Sequence, residues 1–465
     1  MKLSHQRARL VGCATTAAIA MLGTTLSFVG TASASRVEAA ATVTPATSIT
    51  MWTGNGPDQA WQQPLIPEFT KLTGIKVTYD SIPENVLQNK VQAAQEVKST
   101  SFAMYEEPES LTPAYNALNA ISPIASYLSN PTLTPASFDV AGIPKASEAQ
   151  CTLSGVQYCL PQTVDPGPEL FYNIGMFKKA GLTPPTTWPQ VLADANKLTS
   201  KKVSGICIRG SVDSPNGYPV LLMLPYFLPY APNYQGEYLN ANWKPLFNTP
   251  GALKWAKLYA NLMQHDTPPG VSAYGYPQCV QAFQAGQTAM FWDDSTLANV
   301  LYSKSIDPKE YKNAGIDEIP CSSFNQTCLL EAPWGYFINS NVSPSEQLSA
   351  WMLEEWLSSP STQNEALNSS KDAAVATRPA TLTYAIAHAS NYGVPTQFLQ
   401  AVQYAGAHVE PNAIPNTAAF PIIQNTLFVT DSELIAAQIT PQQAVALLQS
   451  NMVATLKEYN LPPKK

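Results

Sequence analysis

The sequence is poor in charge. Asp, Glu, Lys and Arg make up 13% of its 465 residues, about half the share of an ordinary soluble domain. No basic run of five or more residues occurs, and the net charge is −7, which argues against nucleic acid as a partner. The same scarcity disfavours strongly anionic ligands, an inference that one well-placed arginine would overturn. Histidine is nearly missing, with His265, His388 and His408 scattered after the first residues and no C-x2-C spacing beside them, so neither a metal centre nor another cofactor is indicated. Nucleophile elbow, P-loop, HExxH motif and internal repeat are all absent. After residue 30 no apolar run reaches the ~18 residues needed to span a bilayer. Hydrophobic residues nonetheless reach 45%, so this is not the composition of a disordered chain. Gln, Asn, Ser, Thr and Pro take the place of charge. Such a surface suits an acidic exterior, where carboxylates lose their charge.

What is present begins with an export signal. Lys2, Arg7 and Arg9 precede an apolar run from Leu10 to Gly30, and Ala32-Ser33-Ala34 offers a cleavage site. Leu10-Val11-Gly12-Cys13 has the look of a lipoprotein box, but the apolar run follows the cysteine instead of preceding it, so lipidation is rejected. Left uncleaved, the same run would be long enough to anchor the chain. Residues 1–34 are therefore read as the signal and 35–48 as a small-residue linker. Of the seven cysteines, removing Cys13 leaves Cys151, Cys159, Cys207, Cys279, Cys321 and Cys328. An even count in an exported chain argues for disulfides, with several connectivities open. Cys151–Cys159 and Cys321–Cys328 would each close a short loop, which leaves Cys207 with Cys279.

The most informative stretch is Leu160 to Leu192. Leu160 to Asp165 reads as a short extended run, and Pro166-Gly167-Pro168 as a turn. Glu169-Leu170-Phe171-Tyr172-Asn173 is β-prone and ends in a helix-start residue. Met176 to Leu182 is a short helix stopped by Gly181. Pro184 to Pro189 caps a second helix, proline being tolerated in a first turn. This order resembles the signature of extracellular solute-binding proteins of ABC importers, the large family that includes maltose-binding protein. A second stretch, Phe283 to Asp294 (FQAGQTAMFWDD), resembles the family pattern F-x-x-G-x-x-A-M. The opening Ile49 to Tyr79, a strand, a glycine loop, a helix from Asp58 to about Thr73 and a strand, is similar to the family's first unit.

The resemblance implies an α/β, two-lobed periplasmic-binding-protein-like fold of type II, each lobe a mixed sheet flanked by helices, with hinge crossings and a ligand cleft between them. It divides the chain into a first lobe of 49–163 and 315–340 and a second of 164–314 and 341–465. It also implies where ligand is met. Trp52 ends the first strand and Asn55 lies in the loop after it, Tyr105 and Glu106 stand at the end of the third, and Asp165 lies on the first crossing. Trp292 and Asp293 follow the methionine of the second motif, Trp334 lies beside the second crossing, and Arg378 sits in a segment resembling the family's P-x-R. Aromatic rings suit the apolar C–H faces of a sugar, and the polar set suits its hydroxyl edges. Trp292 and Asp293 are strand neighbours, so only one should face the cleft unless the strand has ended.

The function implied is capture of a sugar or oligosaccharide by hinge closure outside the cytoplasm, by a monomer that delivers to a membrane permease. A carrier of another solute, such as a polyamine, a peptide or ferric iron, is the alternative within binding proteins. A secreted glycan-active enzyme is the alternative outside them. It would need two facing carboxylates about 5–9.5 Å apart, and the adjacent pairs Glu106-Glu107 and Asp293-Asp294 do not face each other.

Overall fold

A computed structural model describes residues 43–56, 59–162, 168–211, 223–228, 238–294, 313–317, 334–370, 378–391 and 414–461, with 297, 301, 396, 399, 400 and 403 singly. The export signal, Asp165 and the Cys321–Cys328 pair lie outside the described residues. The strands are β1 Ser48–Gly54, β2 Lys76–Ile82, β3 Met104–Pro108, β4 Thr152–Leu153, β5 Val156–Gln157, β6 Cys159–Pro161, β7 Pro168–Asn173, β8 Met290–Asp294, β9 Ala314–Asp317 and β10 Trp334–Ile338.

Two sheets define the two lobes. The first has the order β2-β1-β3-β10-β6, and the second the order β8-β7-β9. In the first, β1 lies parallel to both β2 and β3, so the C-terminal ends of these strands and the loops after them share one edge. β10 then runs antiparallel to β3 and to β6. The chain leaves the first sheet after β6, enters the second at β7, leaves it after β9 and rejoins the first at β10. Apolar strands pack both sheets. Met51, Met104, Tyr105 and Phe337 fill the first core, and Leu170, Phe171, Phe291 and Trp255 fill the second.

Local chemistry explains the elements. Asn173 accepts the amide of Met176 at 3.0 Å and starts the helix Ile174–Ala180, which Gly181 ends at φ 66°. Thr187 caps Trp188–Leu198, and Ser343 with Glu346 forms a capping box on Pro344–Ser358. The first helix is shorter than its pattern suggests. It spans Ile66–Thr73, preceded by a 3-10 turn at Gln63–Leu65, because Pro64 and Pro67 fit a first turn but not a helix interior. Gly205 to Arg209 forms isolated bridges, among them Cys207 to Phe291, instead of the full strand its apolar run suggests.

The lobe boundaries shift in two places. β9 belongs to the second sheet, because Ala314–Asp317 hydrogen-bonds antiparallel to β7; the return to the first lobe falls after 317, not at 315. The helix Pro344–Ser358 packs on β1, β6 and β10 and so belongs with the first lobe. The later helices Phe420–Ile435 and Pro441–Glu458 pack on Pro250–His265. The disulfides Cys151–Cys159 and Cys207–Cys279 are both formed, with Cα separations of 5.2 and 5.5 Å. The grouping of Glu109 with Cys151 and Cys159 is therefore no metal site, because both sulfurs are bonded to each other. Among the described residues no helix is long and apolar enough to cross a membrane.

Several carboxyls are buried without a cation. Glu107 on β3 and Asp431 on Phe420–Ile435 have both oxygens buried with no hydrogen-bond donor among the described residues, and Glu354 has one such oxygen. Burial pushes all three well above the usual carboxylate range. Glu106 adds to that rise at Glu107, and the Leu160 amide opposes it at Glu354. A carboxyl whose folded pKa is raised binds protons more tightly in the folded state. Its contribution is whole below the unfolded pKa near ~4 and is lost as pH rises toward the folded one, at about 1.4 kcal/mol per pH unit per group. Melting temperature should therefore be higher at pH 4.5 than at pH 8. Asp431→Asn should raise it by a few degrees at pH 8 and change it little at pH 4.5. A stability maximum near pH 8 in a calorimetric series, with no gain from the amide, would refute this.

Candidate functional site

A cavity of about 280 Å³ lies between the lobes, lined by Asn55, Pro83 and Glu84 on one side and by Arg209, Ser211, Ala273, Gly275, Tyr276, Pro277 and Gln278 on the other. The first wall is made by the ends of β1 and β2. Gly54 and Ile82 are register partners, so the residues just after them emerge side by side. This is where open parallel sheets place ligands. Gly54 keeps the wall thin, since a Cβ there would sit 3.3 Å from both the Gln59 and the Glu84 side chains.

The second wall is three segments tied together. Cys207 donates its amide to Met290 and accepts that of Trp292, which docks residues 204–211 on β8. Gly210 and Ser211 both donate to the Tyr274 carbonyl, at 3.0 and 3.1 Å. Gly210 permits that approach, because a Cβ would meet the Val271 carbonyl oxygen at 2.4 Å. The Cys207–Cys279 disulfide then joins the segment to the helix Tyr276–Gln284, whose first turn lines the cavity.

At the centre of this wall is an ion pair. Nε of Arg209 donates to both carboxylate oxygens of Asp293 at 2.8 Å, and Nη2 donates to Oδ1 at 2.5 Å. The pair is buried, with Arg209 6% and Asp293 1% exposed. The guanidinium also lies over the Tyr276 ring, 5.1 Å from its centroid, a cation–π distance.

The expected ligand residues divide. Asn55 lines the cavity, and Asp293 stands behind Arg209. Trp292 faces the other way, edge-on to Trp188 at 4.8 Å, so strand alternation separates the two neighbours. Trp52 is stacked on Phe102 at 4.1 Å with the Lys90 ammonium over its ring. Tyr105 is fully buried among Phe337, Phe102 and Tyr115. These three rings are taken up by core packing, which corrects the expectation that they stack on a ligand. Glu106 is wholly buried and accepts from Thr53 and Gln62. Trp334, half-buried at the start of β10, is not among the residues lining the cavity. Arg378 locks a loop: it donates to the carbonyls of Ser358 and Asp139 at 2.9 and 2.7 Å, lies on Phe138, and is 3% exposed.

Arg209, Ser211, Tyr276 and Gln278 are the residues that sequence reasoning missed. The available signal was the position of Arg209 at the end of an apolar run, with an aspartate at the end of another. Their pairing required knowing that the two runs are adjacent.

The chain belongs to the bacterial extracellular solute-binding protein family, whose model matches residues 53–364. It is similar to the erythritol/L-threitol-binding protein of Mycolicibacterium smegmatis, 23% identical over 67% of this chain and 66% of that one. A binding protein of Brucella abortus is 30% identical over 161 residues, 34% of this chain and 37% of its own length; the match thus spans little more than a third of that relative. Among solved structures, a solute-binding protein of Agrobacterium vitis with bound D-mannitol superposes with a TM-score of 0.76 at 22% identity, over 90% of this chain and all of that one. One from Agrobacterium radiobacter with ribitol gives 0.77 at 21%, over 89% and 99%. These likenesses establish the two-lobed fold.

Removing one member of a buried ion pair leaves the other charged and unpaired, at a cost of about 3–5 kcal/mol. Asp293→Ala should cost that much in denaturant unfolding at pH 7. A loss below about 1 kcal/mol would show that the pair is solvated.

Proposed function

We propose that the protein is the extracytoplasmic binding component of an ABC importer and that its cargo is one small, neutral polyhydroxy solute, a sugar or a sugar alcohol. The observation that carries this reading is the interlobe cavity of about 280 Å³. It falls just below the usual range for ligand pockets, roughly 300–1,000 Å³, which suits a single sugar unit better than a chain. Its lining suits hydroxyls: Asn55, Ser211 and Gln278 offer amide and hydroxyl groups, and the Tyr276 ring offers an apolar face. Among the residues that line the cavity, Arg209 is the arginine that could have drawn an anion. Its charge is balanced by Asp293 at its back, and Glu84 on the facing wall adds a negative charge. The cavity is therefore a poor host for a sugar acid. The polyols named for several relatives support the same class.

In this reading the ligand meets one wall first and closure of the lobes brings the second set of donors onto it. The closed form, a monomer, docks on a membrane permease. The leader carries the chain across the membrane, and the family's extracellular place agrees with that. A glycan-cleaving enzyme is disfavoured, because Glu106 and Asp293 are each buried and bonded within their own lobe instead of facing one another across substrate.

A thermal-shift screen of the mature protein tests the cargo, using D-mannitol, ribitol, erythritol, hexoses and maltose, with polyamines, peptides and Fe3+ as controls. At 100 times its dissociation constant a true ligand adds about 2.7 kcal/mol. A polyol or monosaccharide should raise the melting temperature without being consumed, and gluconate should not. Tyr276→Ala should weaken that ligand about tenfold, or ~1.4 kcal/mol, by calorimetry. A rise with a control alone would replace the cargo class.

A further inference from the structure

Glu106 lies at the middle of β3, behind the first wall of the cleft, and is not one of the residues that line the cavity. Thr53 Oγ1 donates to its Oε2, and Gln62 Nε2 donates to its Oε1 at 2.5 Å. Both donors belong to the segment that builds the wall. Thr53 stands two residues before Asn55, and its Oγ1 also lies 3.4 Å from the Gly54 carbonyl oxygen. Gln62 is held in turn by Tyr79, whose hydroxyl lies 3.5 Å from Gln62 Oε1 and 3.2 Å from the Gln59 carbonyl. The Gln59 side chain closes over Gly54. Thr53, Gly54, Gln59 and Gln62 are thus gathered around one carboxyl.

We propose that Glu106 is a positioning residue for the Asn55 wall of the cleft, that it performs this role as a neutral carboxylic acid, and that ionising it loosens the wall. The proposal rests on the reading of the cleft as the ligand site. In the acid form the O–H at Oε2 donates to Thr53 Oγ1, which frees the Thr53 hydroxyl proton for the Gly54 carbonyl, while Oε1 still accepts from Gln62. Every group is then satisfied. In the ionised form the Thr53 proton is drawn to the carboxylate and the tether to Gly54 is given up. Among the described residues no counter-charge makes ionisation easy. Glu84, from the helix Glu84–Glu96, acts on Glu106 as a like charge, and Glu107 follows it on β3. Tyr336 is its register partner on β10, β1 presents Thr53, and Lys90 of the helix lies on the Trp52 ring instead. Burial pushes Glu106 up to about 8, against the downward pull of Thr53 and Gln62. The group is therefore uncharged in neutral and acidic media and ionises in alkaline ones.

The test follows the backbone amides of Gly54 and Asn55 by NMR from pH 5 to 9.5, without ligand. In the wild type they should titrate with a midpoint near 8. In Glu106→Gln, whose amide reproduces the acid's donor to Thr53 and its acceptor for Gln62, they should stay flat, whereas Glu106→Ala should displace them at every pH. In Thr53→Val the Gln62 side-chain amide should still titrate while Gly54 and Asn55 no longer follow. Persistence of the titration in Glu106→Gln, or a wild type silent over the whole range, would overturn the proposal. Calorimetry with D-mannitol gives the functional arm. Wild-type affinity should fall about tenfold between pH 6 and 9, as expected when only the protonated state binds, and the fall should vanish in Glu106→Gln. No binding of mannitol at either pH would count against the proposed cargo, while the amide titration would still decide the role of Glu106.

Discussion

The pairing of β7 with β8 fixes the second lobe and, through it, the cleft. β7 is the first strand after the crossing and lies in the middle of its sheet. Its antiparallel register sets Leu170 opposite Trp292 and Glu169 opposite Asp293. A slip of one residue would exchange the two faces of β8. Trp292 would leave its contact with Trp188, and Asp293 would leave Arg209. The buried ion pair therefore exists because a strand made of apolar residues has only one register that keeps its rings inside. The charged wall of the cleft is a by-product of hydrophobic packing a few ångströms away.

Much of this was legible from the chain. The strand, helix and caps of residues 168–198 follow from turn and capping chemistry that acts within a few positions, and they are as the local pattern requires. The alternation at Trp292 and Asp293 was equally local. Trp52, Tyr105 and Trp292 pack into the core for a shared reason. A tryptophan or tyrosine at a strand end can turn toward ligand or toward core, and nothing within the strand distinguishes the two. Trp52 and Tyr105 are settled by Phe102, Phe337 and Tyr115, which approach from other elements. Arg209 and Tyr276 are far apart in sequence and meet only through the fold. The lobe boundary at 315 was missed because four residues of β9 look alike whichever sheet receives them; only pairing with β7 decides.

The scarcity of charge and the buried acids are two sides of one design. A surface with few carboxylates loses little when they are protonated, and a core that holds Glu107, Glu354 and Asp431 as neutral acids gains from the same condition. Both favour a medium on the acid side of neutrality. Arg209 and Asp293 follow a different rule. There a full charge is kept inside the protein because its partner is fixed, and it is kept where a directional donor lines the cavity.

The disulfide between Cys207 and Cys279 spans 72 residues and joins two segments that line the cavity from the second lobe. That half of the cleft cannot be clamped while the chain is still being made, nor in a compartment that keeps thiols reduced. The clamp on that wall therefore closes only under oxidising conditions, such as those outside the cell where the family works.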